Sequence, residues 1–142
     1  MAFSINKALK FMERKLNSEW SKITFEYELE DDEASATANI TLNNHDDDIR
    51  VILTVYPSSM CNFRAVFDKL DKTNRSLDLV NTFNDNSLFF KAYIREDSYL
   101  EIDHTFFCYN EADLEDYSNE FMYKLANLAD NETLQAITKM TY

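Results

Sequence analysis

Apolar and polar residues alternate with a period of two in two blocks of this chain. No other feature constrains its fold as much. Ile23, Phe25, Tyr27 and Leu29 alternate with Thr24, Glu26, Glu28 and Glu30. Ala36, Ala38, Ile40 and Leu42 alternate with Thr37, Asn39, Thr41 and Asn43. Ile49, Val51, Leu53 and Val55 alternate with Arg50, Ile52, Thr54 and Tyr56, up to Pro57. Cys61, Phe63, Ala65 and Phe67 alternate with Asn62, Arg64, Val66 and Asp68. Successive strand side chains point to opposite faces, so each run predicts a half-buried strand. The links at Asp31-Asp32-Glu33 and Asn44-His45-Asp46-Asp47 are too short for crossovers, so the meander is antiparallel. In the second block, Leu88, Phe90, Ala92 and Ile94, then Leu100, Ile102, His104, Phe106 and Cys108, flank the turn Glu96-Asp97-Ser98. They predict a hairpin.

Between these blocks the period is helical. Ser4 is a plausible N-cap for Ile5, Ala8, Leu9, Met12 and Leu16, a helix ending near Asn17-Ser18. Thr73 or Asn74 caps a second helix carrying Leu77, Val80 and Phe83, ended by Asn84-Asp85-Asn86. Asn110 caps a third, with Glu111, Asp113, Glu115 and Asp116 in its positive first turns. Asp130-Asn131 breaks it before an amphipathic tail with Leu134, Ile137 and Met140. The order α-β-β-β-β-α-β-β-α(-α) predicts an α+β fold. One antiparallel sheet carries its helices mainly on one face, in a single domain over 1–142. The chain has no Gly, which excludes Gly-built phosphate loops. Left-handed backbone positions are expected to fall to Asn and Asp.

Lys+Arg 14 against Asp+Glu 26 gives a net charge of −12. Nucleic acid and anionic membrane are therefore not expected partners. Charge is uneven: Lys7, Lys10, Arg14, Lys15 and Lys22 outweigh Glu13 and Glu19 over residues 1–22. That basic face either steers a partner or is merely solvated. Residues 1–7 lack the apolar core of a signal peptide, and no apolar run reaches the roughly 18 residues of a membrane span. A cytoplasmic setting is expected, with Cys61 and Cys108 as reduced thiols. Sequons at Asn39, Asn74 and Asn131 then carry no meaning.

No catalytic, cofactor-binding or metal-binding residues are predicted. His45 with Asp46, Asp47 and Asp48 lacks the spacing and Gly of a calcium loop and reads as a solvated hairpin tip. His104 falls in register with apolar residues and reads as a partly buried histidine bonded to backbone. It pairs with neither Cys in a catalytic signature. The strand positions facing away from the helices hold Phe89, Tyr93, Tyr99, Phe107 and Tyr109. With Tyr56 and Ile52 they are expected to form one aromatic patch for a partner protein. The competing reading is that the last helices cover this face and make it core.

The run Leu79-Val80-Asn81-Thr82-Phe83-Asn84, then Leu88 to Ile94, an acidic turn, and Tyr99-Leu100-Glu101-Ile102, resembles the YbjN family of bacterial sensory transduction regulators. The element order resembles it over nearly the whole chain. Members show a helix ending in Asn-x-x-Asn, then a strand with a Lys or Arg and a small residue. Those positions are Asn81, Asn84 and Lys91 here; the Gly common after the Asn pair is missing. Asn84 reads as a helix C-cap, and Asn81 as a tie to the neighbouring strand. The resemblance implies the fold of class I type III secretion chaperones, which are small, acidic, commonly dimeric and bind extended client segments. The expected function is a non-enzymatic interaction module, a homodimer that binds a protein segment. The alternatives are an acidic mimic of nucleic acid and a small hydrolase.

Overall fold

The computed structural model describes residues 4–19, 23–42, 45 and 48–140, with the backbone alone at 17–19. Trp20, Asp46 and Asp47 lie outside these. Chain order runs α1 (Ile5–Glu19), β1 (Glu26–Leu29), β2 (Ala34–Ile40), β3 (Ile49–Val55), β4 (Met60–Lys69), α2 (Asn74–Asn86), β5 (Lys91–Ile94), β6 (Tyr99–Phe107), α3 (Glu111–Leu128) and α4 (Glu132–Thr138). This is the expected order. The six strands form one sheet in the order β1-β2-β3-β4-β6-β5, and every neighbouring pair is antiparallel. After β4 the chain crosses through α2 to the far edge, lays down β5, and returns with β6 to fill the gap.

The inward strand positions make the core. Ile49, Val51, Leu53 and Val55 face it from β3, and Cys61, Phe63, Ala65 and Phe67 from β4. Phe63 is wholly buried on a central strand. Its ring meets Phe106 edge-on at 4.5 Å and Phe121 of α3 at 5.4 Å. Phe121 also meets Phe90 at 5.6 Å, so α3 is locked over both β4 and the entry to β5.

Local chemistry sets the element ends. Thr73 and Ser76 form a reciprocal capping box on α2, satisfying two orphan donors at once. Asn110 and Asn131 accept from the first-turn amides of α3 and α4. Among the described residues the left-handed positions correct the expectation: Ser59 (φ 68°) and Ser98 (φ 71°) hold them, not Asn or Asp. Both close hairpins of one design. Ser59 N–H donates to Tyr56 and Tyr56 N–H to Met60; Ser98 N–H donates to Arg95 and Arg95 N–H to Tyr99. A turn followed by one left-handed residue matches the strand twist, and Gly is its usual occupant.

His45 is another correction. It is half-buried, with its ring 6.0 Å from Phe67 and Nδ1 3.3 Å from the Thr138 hydroxyl of α4. The basic face of α1 also finds partners within the chain. Arg14 reaches Glu111 at 3.4 Å and Lys15 reaches Glu115 at 3.9 Å, at the acidic start of α3. The first pair is exposed and the second half-exposed, so each contributes at most about 1 kcal/mol. No helix among the described residues is long and apolar enough to cross a membrane.

Candidate functional site

The described helices pack on one side of the sheet, leaving the other side open. Cross-strand register arranges the open face in rows. One row reads Thr37, Ile52, Arg64, Asp103 and Lys91 from β2 to β5. The next reads Asn39, Arg50, Val66, Glu101 and Tyr93. Glu101 is only 2% exposed although it lies on this face. The Tyr93 hydroxyl donates to it, and Arg95 lies 3.8 Å away. Desolvation, then the Glu101 carboxylate, push the Tyr93 phenol well above its ordinary range. Burial, then Glu101, raise the Asp103 carboxyl.

The expected aromatic residues do not form one patch. Phe107 and Tyr109, 54% and 61% exposed, stack at one end with centroids 6.4 Å apart. Met60 lies opposite Phe107, and Tyr56 bonds Met60 across the hairpin turn. Tyr93 and Tyr99 sit at the other end, with Lys69 and Arg95 over the Tyr99 ring. Asp103–Arg64 and Thr105–Asn62 lie between. Six residues of strand, about 20 Å, separate Glu101 from Phe107. Phe89 leaves the group: it precedes β5, stacks on His104 at 3.8 Å and carries Lys124 of α3 over its ring. It therefore lies on the helix side. Strand parity misplaced Phe89 because β5 begins only at Lys91.

The Asn-x-x-Asn motif has a structural job, but Asn84 rather than Asn81 makes the tie, and neither is the C-cap. Asn84 ties α2 to β5: its amide donates to the Ala92 carbonyl at 2.8 Å and accepts from the Ala92 N–H at 2.7 Å. The helix instead ends at Asn86, with Ser87 as C-cap, and Asn81 is exposed. Lys91 Nζ donates to the carbonyls of Asn84 and Ser87, at 3.3 and 3.1 Å. A cation at those orphan carbonyls suits the negative helix end. A small residue at 92 lets the strand approach the helix.

The cysteines are neighbours, which sequence reading missed. Cys61 lies opposite Phe106, two positions from Cys108, and both thiols are free and buried. A hydrogen bond with Cys61, then burial, push the Cys108 thiol far up. Burial shields both thiols from reagent, and Cys108 is also held in the less reactive protonated form, so both cysteines should resist iodoacetamide in the folded protein at mildly alkaline pH and react after denaturation. Rapid labelling of the native chain, read by mass spectrometry, would contradict this burial. His104 lies 2.9 Å through Nδ1 from the Phe89 carbonyl, beneath the Phe89 ring, so its ring is held as a packing element. Among the described residues no three His, Cys, Asp or Glu side chains are placed to hold a metal.

Fold and surface together define a small α+β protein built on one antiparallel sheet, with one face packed and one face open. The model of the YbjN family, described as "Putative bacterial sensory transduction regulator", matches residues 18–119. The chain belongs to that family. The matched span holds all six strands, α2 and the Asn84–Ala92 tie. No curated protein and no solved structure matches the chain.

Proposed function

We propose that this protein is a non-enzymatic, cytoplasmic interaction module, which regulates by binding an extended segment of a partner protein along the open sheet face. The observation that supports this most is the exposed Phe107–Tyr109 pair, beside a face that the described helices leave uncovered. Exposed aromatics of this kind mark protein contacts, because they bury large area at small entropic cost. Self-association through the same end, giving a homodimer, belongs to this reading.

The test uses the tagged protein and its Phe107→Lys and Tyr93→Lys variants as bait in the host cell, with quantitative mass spectrometry. Each variant is expected to lose at least tenfold of a specific partner, with an unchanged circular dichroism spectrum. Light scattering should show the wild type at twice the monomer mass and Phe107→Lys at the monomer mass. Equal recovery of every captured protein by all three baits would remove the open face from the function.

A further inference from the structure

The open face carries a groove of about 730 Å³ along β3, β4 and the β5–β6 turn. Three of the chain's five arginines line it: Arg50, Arg64 and Arg95. In a protein of net charge −12 this concentration is unexpected. Arg95 is already engaged, by Asp97 at 3.0 Å and by Glu101. Arg50 and Arg64 differ. Arg50 lies opposite Val66 and Arg64 opposite Ile52, so they are diagonal neighbours on adjacent strands. Like charges this close on one face repel unless an anion lies between them. Among the described residues neither guanidinium makes a hydrogen bond or a salt bridge. The buried Nε of Arg64 has no partner, and an orphan buried donor calls for an account.

Each carboxylate that lines the groove accepts a hydrogen bond from a group other than Arg50 or Arg64. Asp48 accepts from Thr41 at 2.6 Å, Asp68 from the Lys69 N–H at 2.8 Å, and Asp97 from Arg95. The groove therefore holds two guanidinium groups that make no close ion pair, over the apolar side chains of Ile52 and Val66 and beside the Tyr99 ring; Asp103, directly opposite Arg64, attracts it only from beyond salt-bridge distance.

We propose that Arg50 and Arg64 clamp an Asp or Glu side chain of the partner segment, whose adjacent apolar residue lies on Ile52 and Val66. This rests on the open face being the partner-binding surface. The planar guanidinium fork matches a carboxylate in two-point geometry. A single carboxylate suits the site better than a polyanion, since Glu101 and Asp103 on the same face and the overall negative field repel multiple charges.

A phage-displayed library of random dodecapeptides, panned on the immobilised full chain, tests this. Enriched peptides should carry Asp or Glu next to an apolar or aromatic residue. Binding of the best peptide, measured by fluorescence anisotropy, should fall tenfold or more in Arg50→Gln and in Arg64→Gln. It should be retained in Arg75→Gln, an exposed position on α2, and weaken as salt rises. Arg50 is exposed, so its variant tests the clamp even if Arg64→Gln unfolds. Enriched peptides without acidic residues, or binding unchanged in Arg50→Gln, overturn the clamp alone. Failure to enrich any peptide overturns the clamp together with the segment-binding function.

Discussion

Phe63→Ala is expected to lower the free energy of unfolding by about 3–5 kcal/mol, the range for deleting a buried aromatic ring. Phe63 is fully enclosed on β4, and its ring contacts join the sheet to α3 through Phe121 and to β6 through Phe106. Collapse cannot fill the space, because the surrounding strands are held in register on both sides. Domains of this size have roughly 5–15 kcal/mol in total, so the variant retains only part of its stability. Urea denaturation followed by circular dichroism measures the loss. Phe107→Ala, exposed on the opposite face of β6, should stay within about 0.5 kcal/mol of wild type. A loss below about 1 kcal/mol for Phe63→Ala would mean that the core is not packed around this ring.

Asn84→Ala should cost about 2–3 kcal/mol, from two lost hydrogen bonds and two backbone groups of Ala92 left without partners. Ala92 is buried, so water does not readily replace the amide. The effect should be local as well as global. Lys91–Ile94 is a four-residue edge strand paired on one side by β6, and Asn84 supplies the second hold on it. The Ala92 amide should exchange with solvent much faster in the variant, while the Val51 and Phe63 amides change only in step with global stability. Asn84→Asp keeps the acceptor for the Ala92 N–H but sets a carboxylate against its carbonyl, so it should not rescue. Unchanged exchange at Ala92 would show that the motif does not hold this edge.

Much of the architecture was legible residue by residue. Alternation along 49–55 and 61–67 marked β3 and β4 because strand side chains face in turn toward core and solvent. Thr73, Asn110 and Asn131 marked helix starts because a short polar side chain there meets amides that have no other partner. The motif reading erred by one turn. Both Asn81 and Asn84 can cap or bridge, and only the position of β5 shows that Asn84 meets Ala92. The two left-handed hairpin positions among the described residues went to serine because hairpin geometry outweighs a residue's intrinsic preference. Phe89 was misassigned because alternation was carried past the true start of the strand.

The sequence by itself determined the kinds of element, their order, the N-caps of α2, α3 and α4 and the inward side of β2, β3, β4 and β6, since these follow from residues a few positions apart. Tertiary structure alone decided which distant residues meet. The insertion of β6 between β4 and β5 brings Cys61 beside Cys108, sets Glu101 beneath Tyr93, and divides the aromatic residues between two ends of the open face. The register of the β3–β4 hairpin sets Arg50 beside Arg64. Such meetings depend on strand pairing and register across the sheet, which hydrogen bonds between remote segments establish and local patterning leaves unspecified.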